Sequence, residues 1–134
     1  LKLKVHNLNL QNNVKFEPWI DDLISYYKTA DLFLVTSNYE GYSMTIIESL
    51  AVGLPVVSTD VGIAPEVIED GKNGHIMPVD DIKALINSIG RILDDKQLHQ
   101  KLILNSRRYK LPSADKKSYL KAYKESWASC VGKV

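Results

Sequence analysis

Two glutamates and a glycine surround the point where a predicted strand is followed by a predicted helix. Glu40 lies in the connecting loop beside Gly41, and Glu48 lies just over one turn into the helix that begins after Ser43. The first amides of a helix have no partners within the helix, and together with the helix dipole they favour a bound phosphate. Glycine lets a ligand approach the backbone closely. The segment therefore predicts a phosphate-binding loop between two carboxylates.

The neighbours of the two carboxylates suggest what would bind beside the phosphate. Glu48 lies in the segment SNYEGYSMTIIESLA, where the helix is apolar on nearly all sides and is predicted to be buried. A buried carboxylate needs hydrogen-bond donors, and sugar hydroxyls supply them. We interpret Glu48 as a ligand of a nucleotide ribose and Glu40 as a ligand of a transferred sugar. The spacing equally fits Glu48 on a solvent-facing stripe and Glu40 as a surface charge.

The elements that must position these residues follow the pattern of a parallel α/β sheet, in which short apolar runs alternate with amphipathic stretches. Strands are predicted at 14–16, 32–35, 55–58 and 75–77. Helices are predicted at 20–29, 44–52, from Pro65, and at 80–93, 96–109 and 113–130, and residues 1–10 favour the end of a helix. Because 32–35 is continuously apolar, it is predicted at the centre of the sheet. Ser43 and Asp80 are predicted to cap helices.

The aromatic residues allow more than one interpretation. Tyr119, Tyr123 and Trp127 recur at four-residue spacing in the last predicted helix, which predicts that they pack on the core or face another lobe. Trp19, after the first predicted strand, fits either a nucleobase contact or an aromatic cover over the edge of the core.

Composition excludes several functional classes. The chain has 134 residues, enough for one compact domain, and its formal net charge of +1 gives no reason to expect a nucleic-acid partner. Its single cysteine forms no internal disulfide, and no apolar run is long enough for a membrane span. The three histidines lack metal-ligand spacing, so no metal site is expected. With no initiator Met and no signal peptide, the chain is interpreted as a fragment of a longer protein.

A long stretch of the chain resembles a known enzyme family. The segment ADLFLVTSNYEGYSMTIIESLAVGLPVVSTDVGIAPEVIEDGKNGHIMPVDD, with VKFEPW and YYKTAD upstream, is similar to the retaining GT-B glycosyltransferases of group 1, family 4. Within it, EGYSMTIIE resembles their E-x7-E motif. That motif alone arises often by chance, whereas the combined pattern over roughly residues 13–93 is specific. The resemblance implies that residues 1–134 are a single, incomplete C-terminal nucleotide-sugar-binding domain with a Rossmann-like parallel sheet flanked by helices.

The resemblance also implies roles for individual residues. Glu40 would contact the donor sugar, Glu48 would bind the ribose, and Trp19 would lie beside the nucleobase. The backbone around the sugar and diphosphate would be that of Gly41, Tyr42, Ser43, Met44 and Thr45. Two features depart from the family pattern: a single glycine, Gly62, stands where relatives have a Gly-Gly pair, and no residue matches the upstream Arg and Lys that neutralise the diphosphate.

The activity that the resemblance implies is transfer of a sugar from a nucleotide diphosphate sugar to an acceptor hydroxyl, with retention and without a metal or other cofactor. The acceptor, a sugar or a lipid-linked sugar, would bind an N-terminal lobe that this chain lacks, so the chain alone is expected to be inactive. The complete protein is expected in the cytoplasm, and peripheral association with the inner face of the membrane is compatible with this. A non-catalytic nucleotide-sugar-binding module is the alternative. A dinucleotide-dependent oxidoreductase is disfavoured because G-x-G-x-x-G is missing.

Overall fold

The computed structural model describes residues 1–108 and 116–131. Within these ranges, three parallel strands form one sheet in the order β1-β2-β3, comprising β1 (Phe33–Val35), β2 (Val56–Thr59) and β3 (Gly74–Met77). The helices are α1 (Lys2–Asn7), α2 (Leu23–Thr29), α3 (Met44–Ala51), α4 (Ala64–Val67), α5 (Ile82–Asp94), α6 (Lys96–Arg108) and α7 (Lys116–Val131). The arrangement confirms the predicted Rossmann-like α/β fold.

The central strand β2 separates two hydrophobic clusters. Every residue of β2 is buried, and neighbouring side chains point to opposite faces of the sheet. Val56 belongs to a cluster with residues of α3 and α4, whereas Val57 belongs to a cluster with residues of α5 and α6. Helices therefore cover both faces, as the continuously apolar strands of a parallel sheet require.

Two strand predictions are wrong. β1 lies at the edge of the sheet, not at its centre, and its Leu34 is 43% exposed. Residues 14–16 form no strand and pair with none of the three described strands. The apolar residues there, Val14 and Phe16, are partly exposed, so no buried face favours an extended conformation. An apolar run reports burial in general, and it does not distinguish an edge strand from a central one.

Three helix starts differ in detail from the prediction. α2 begins at Leu23, and Asp22 caps it by accepting a hydrogen bond from the Ser25 amide at 3.1 Å. α5 is capped by Asp81, which accepts from the Ala84 amide at 2.9 Å, whereas the predicted cap Asp80 has a positive φ of 68°. In both Asp-Asp pairs it is the second carboxylate that satisfies a first-turn amide.

Ser43 occupies the N-cap position of α3, but its side chain makes no capping hydrogen bond. Its backbone is left-handed, with φ 66° and ψ 66°. An N-cap residue normally has an extended backbone, from which its side chain reaches the amides of the first turn. The predicted side-chain cap is therefore wrong, and the chain enters α3 through a sharp turn.

The aromatic residues of α7 do not pack on the core. Tyr119, Tyr123 and Trp127 are exposed, and they stack on one another with ring centroids 6.0 and 5.7 Å apart. The predicted end of the preceding helix at Tyr109 and the predicted break before the last helix fall at 109–115, outside the described residues. Packing of these rings on the core is wrong for the described part of the chain, whereas the alternative of a facing lobe stays a prediction.

Two glycines predict stability changes of opposite sign. A Cβ at Gly74 would stand 2.1 Å from the Val56 carbonyl oxygen across the sheet, whereas a Cβ at Gly90, in α5, would meet only the Asp94 carboxylate at 4.0 Å. We expect Gly74→Ala to lower the free energy of unfolding by more than about 2 kcal/mol through overpacking. Gly90→Ala should raise it by about 0.5–1 kcal/mol through helix propensity. Urea unfolding of both variants tests this, and an unchanged midpoint for Gly74→Ala would contradict the strand register.

Candidate functional site

The loop after β1 holds Glu40 through a relay of hydrogen bonds. The Thr59 hydroxyl, at the end of β2, donates to the Ser37 carbonyl oxygen at 2.7 Å. The Ser37 hydroxyl in turn donates to Glu40 Oε1 at 2.6 Å. Glu40 is half-buried. Its carboxylate is therefore oriented by the ends of two neighbouring strands and is not a freely solvated surface charge.

The loop after β2 packs directly against the loop that carries Glu40. Gly62 has a positive φ of 54°, and a Cβ there would lie 2.8 Å from the Tyr42 carbonyl oxygen and 3.1 Å from Glu40 Cβ. The Ile63 amide donates to the same Tyr42 oxygen at 2.9 Å. Only glycine combines this backbone conformation with so close an approach. The single glycine that remains of the family's Gly-Gly pair is thus the one that this contact requires.

The start of α3 offers fewer free amides than the sequence predicts. The Ile46 amide donates to the Ser43 carbonyl oxygen at 3.1 Å, so the prediction that it lacks a partner is wrong. Met44 and Thr45 are the first residues of α3, and amides at such positions have no carbonyl one turn earlier within the helix. The Ser43 and Thr45 hydroxyls lie 3.5 Å apart and are partly exposed. Two amides and two hydroxyls thus lie together at this helix end.

Space for a ligand is present beside this helix end. A Cβ at Gly41 would meet no atom within 4 Å. The side chains of Tyr42 and Met44 are more than half exposed. The backbone from Gly41 to Thr45 is therefore open to a ligand in the described part of the chain.

Glu48 is exposed, so the prediction that it is buried is wrong. The buried positions of α3 are Ile46, Ser49 and Leu50, which lie on the face turned toward the core. Glu48 falls outside that face. Its carboxylate is nevertheless not free, because the Tyr27 hydroxyl donates to Glu48 Oε2 at 3.2 Å.

Glu48 forms part of the wall of a cavity of about 650 Å³, in the size range of ligand sites. The other lining residues come from 17–27, namely Glu17, Pro18, Trp19, Ile20, Asp21, Leu23, Ile24, Tyr26 and Tyr27. The Trp19 side chain is 91% exposed, and its indole N–H donates to Asp21 Oδ1 at 3.0 Å. The alternative in which Trp19 covers the edge of the core is therefore wrong.

The structure thus groups the predicted residues into two parts. Glu48 and Trp19 line the same cavity, whereas Glu40 does not line it and lies in the loop that packs against Gly62. The start of α3 connects the two parts, because the loop leads into this helix and Glu48 lies four residues after Met44. The cavity, the helix end and the loop therefore follow one another along one short segment of chain.

The sequence analysis missed three residues that orient the carboxylates, namely Tyr27, Ser37 and Thr59. Tyr27 carried the clearest signal, because it shares the apolar face of a predicted helix, and a buried tyrosine hydroxyl requires a polar partner. Burial raises the pKa of Tyr27 to about 12, and the adjacent Glu48 carboxylate contributes to this rise. The hydroxyl therefore stays protonated and donates to Glu48 throughout the physiological pH range.

The remaining candidates show local structural roles. His75 Nδ1 lies 3.2 Å from Asp70 Oδ1, and His99 Nε2 lies 2.7 Å from the Asp31 carbonyl oxygen. Glu66 lies in the first turn of α4 and is exposed. Within residues 1–108 and 116–131 no group of three or more acidic, histidine or cysteine side chains is placed to hold a metal ion. No helix in these ranges has both the length and the apolar composition that spanning a membrane requires.

The raised pKa of Tyr27 predicts how stability changes in alkali. Below about pH 10 the hydroxyl is protonated in both the folded and the unfolded chain. Between about pH 10 and about 12 the unfolded chain loses this proton while the folded chain keeps it, so the free energy of unfolding falls as pH rises. The contribution is at most roughly 1.4 kcal/mol per pH unit. Tyr27→Phe should therefore show a shallower fall than wild type in urea unfolding across this range.

Tyr26→Phe is the matched control for this measurement, because it removes a partly exposed hydroxyl from the same helix. It should keep the wild-type dependence on pH. Equal slopes for Tyr27→Phe and wild type would show that the Tyr27 hydroxyl does not resist ionisation.

Comparison with known sequences identifies the family. Residues 1–109 match the model of the family described as "Glycosyl transferases group 1". The lipopolysaccharide core biosynthesis mannosyltransferase LpsB of Rhizobium meliloti is 33% identical over 98 residues, which cover 72% of this chain. Those residues are 28% of LpsB, so the chain spans less than a third of this relative.

Comparison with solved structures agrees with the sequence match. Sucrose-phosphate synthase from Thermosynechococcus elongatus superposes with a TM-score of 0.81 at 30% identity, over 96% of this chain and 34% of that one. Anabaena Alr3699/HepE, solved in complex with UDP, superposes with a TM-score of 0.80 at 26% identity, over 96% of this chain and 35% of that one. The chain therefore belongs to the group 1 glycosyl transferases.

Proposed function

We propose that this chain is the nucleotide-sugar-binding domain of a glycosyltransferase that moves a sugar from a nucleotide diphosphate sugar to an acceptor hydroxyl with retention. One observation carries the proposal. A carboxylate oriented by a buried hydroxyl, Glu48, shares a cavity with an exposed tryptophan, Trp19, one turn away from the first amides of α3. These are the groups that a ribose, a nucleobase and a phosphate need.

The arrangement accommodates a nucleoside diphosphate in a defined order. The base would enter the cavity and stack on Trp19, and the ribose hydroxyls would donate to the Glu48 carboxylate. Met44 and Glu48 are four residues apart, or about 6 Å along the helix axis at 1.5 Å per residue. A ribose bound at Glu48 would therefore bring its diphosphate to the amides of Met44 and Thr45, where the helix dipole favours negative charge.

The transferred sugar would then lie beside Gly41, where the backbone leaves open space, and would donate hydroxyl hydrogen bonds to Glu40. Ser37 already holds Glu40 Oε1, which leaves the other oxygen for the sugar. Glu40 would position the donor and would not act as a nucleophile. In the retaining reaction that we propose, the incoming hydroxyl attacks from the face that the diphosphate leaves, and its proton passes to the departing phosphate.

The chemistry of departure sets what the site must supply. Negative charge develops on the leaving diphosphate, and preorganised amides at the start of α3 would stabilise it without a metal or other cofactor. The further positive charge would come from an arginine and a lysine outside this chain, in an N-terminal lobe that also binds the sugar or lipid-linked acceptor. A cytoplasmic location, with peripheral membrane association for a lipid-linked acceptor, completes the proposal.

UDP is the nucleotide that we propose to test first. HepE, which is 26% identical, has been solved with UDP and with UDP-glucose. The cavity beside Glu48 is lined mainly by apolar and aromatic residues, with the acids Glu17 and Asp21 at hand for base contacts. GDP and ADP are the comparison ligands, because the same cavity volume admits a purine.

Glu48→Ala in the complete protein should weaken the binding of the nucleotide by about tenfold or more, since charge-assisted hydrogen bonds contribute roughly 1.5–3 kcal/mol. Isothermal titration calorimetry with UDP, GDP and ADP measures this. Glu69→Ala, which removes an exposed carboxylate paired with Lys72, is the control and should leave the affinity unchanged. Equal affinities for wild type and Glu48→Ala would remove the ribose assignment.

Glu40→Ala should mainly slow sugar transfer and change nucleoside diphosphate affinity little, because Glu40 lies outside the cavity that Glu48 lines. We expect a fall in kcat of about tenfold to a hundredfold, as lost sugar positioning raises the barrier by roughly 1.4–2.8 kcal/mol. Release of nucleoside diphosphate with the preferred donor measures this. Undiminished turnover would contradict the role of Glu40, whereas wild-type binding without any turnover would identify a non-catalytic binding module.

A further inference from the structure

Tyr27 is the only described side chain that contacts the Glu48 carboxylate through a hydrogen bond. The Tyr27 side chain is only 5% exposed although it reaches the wall of the ligand cavity. Its ring packs edge-on against the ring of Phe33 in β1, with centroids 5.4 Å apart and an interplanar angle of 86°. The hydroxyl is therefore the end of a ring that the core holds in place, and it reaches a carboxylate on a different helix.

This contact matters because Glu48 has little else to fix it. Glu48 is exposed, and a long acidic side chain on a helix surface samples several rotamers in water. A ligand that needs the carboxylate in one orientation must then supply the cost of ordering it. A donor held by the core reduces that cost before the ligand arrives, which is preorganisation.

The bond also leaves the carboxylate able to bind. An ionised carboxylate has about four acceptor positions, and Tyr27 uses one of them on Oε2. Oε1 and the rest of Oε2 remain for two vicinal hydroxyls, which a ribose presents and a 2′-deoxyribose does not. Because the protonated phenol acts as the donor here, it orients Glu48 without adding a competing charge.

We propose that Tyr27 is a positioning residue that orients Glu48 and thereby sets the preference of this site for ribonucleotides over 2′-deoxyribonucleotides. The inference rests on the proposed function, in which Glu48 binds the ribose. Tyr27 acts through Glu48 and not on the reacting atoms. Its signature is therefore the ratio of two affinities, which a purely structural role would not change.

The experiment compares four versions of the complete protein: wild type, Tyr27→Phe, Glu48→Gln and the double variant. Calorimetry gives the Kd of each for UDP and 2′-deoxy-UDP, for GDP and 2′-deoxy-GDP, and for ADP and 2′-deoxy-ADP, and the pair that binds wild type most tightly is used. Tyr27→Phe keeps the ring against Phe33, and the calorimetric stoichiometry reports the folded fraction, so each Kd refers to folded protein.

We expect wild type to prefer the ribonucleotide by about tenfold or more, and Tyr27→Phe to lower this preference by roughly threefold to tenfold, the range for loss of one hydrogen bond. With Gln at position 48, the further change Tyr27→Phe should alter the preference little, because the charge that it orients is gone. Tyr119→Phe, which removes an exposed hydroxyl on α7, is the control and should behave as wild type.

The outcomes separate this inference from the function on which it rests. If Tyr27→Phe weakens both members of the pair by the same factor, or leaves their ratio as in wild type, Tyr27 does not position Glu48. If Glu48→Gln keeps the wild-type preference, or none of the three ribonucleotides binds wild type, Glu48 does not hold a ribose and the proposed function itself fails.

Discussion

The close approach of two loops at the carboxyl edge of the sheet is the constraint on which the site depends. At Gly62 the loop after β2 comes within contact distance of the Tyr42 carbonyl and of Glu40 Cβ, and the Ile63 amide bonds the same carbonyl. Parallel strands bring their carboxyl ends to one edge, so two loops that are far apart in sequence meet there. The contact holds the chain in the sharp turn at Ser43, from which α3 begins.

The second half of the site depends on the core in a different way. Tyr27 lies with its ring among buried residues and its hydroxyl at the cavity wall, so α2 and α3 are linked by a hydrogen bond that ends at Glu48. The packing of Phe33 against Tyr27 extends this link to β1. A residue whose burial stabilises the fold thereby also determines where an exposed carboxylate points, and this joins stability to ligand binding at one position.

The sequence predicted the main elements well where local signals were strong. The apolar runs of β2 and β3, the helix after Ser43 and the Asp-rich helix starts were each visible in composition and spacing. Strand order was not, because apolar character does not say which neighbours a strand has, and so β1 was expected at the centre. The burial of Glu48 was also mispredicted, since an apolar surrounding sequence conceals which stripe of a helix faces the core. Long-range hydrogen bonds such as Tyr27 to Glu48 leave no trace in spacing.

How far each polar side chain is satisfied separates the binding groups of this domain from its structural ones. Asn73 is 1% exposed, and its amide accepts from the Glu69 amide and donates to the Val67 carbonyl, so little capacity is left for a ligand. Glu40 and Glu48 each receive one hydroxyl donor from the described part of the chain, Ser37 and Tyr27 respectively. A carboxylate with one fixed donor is oriented but still has acceptor positions open. Both acids thus combine order with unused capacity, which is what binding a sugar requires.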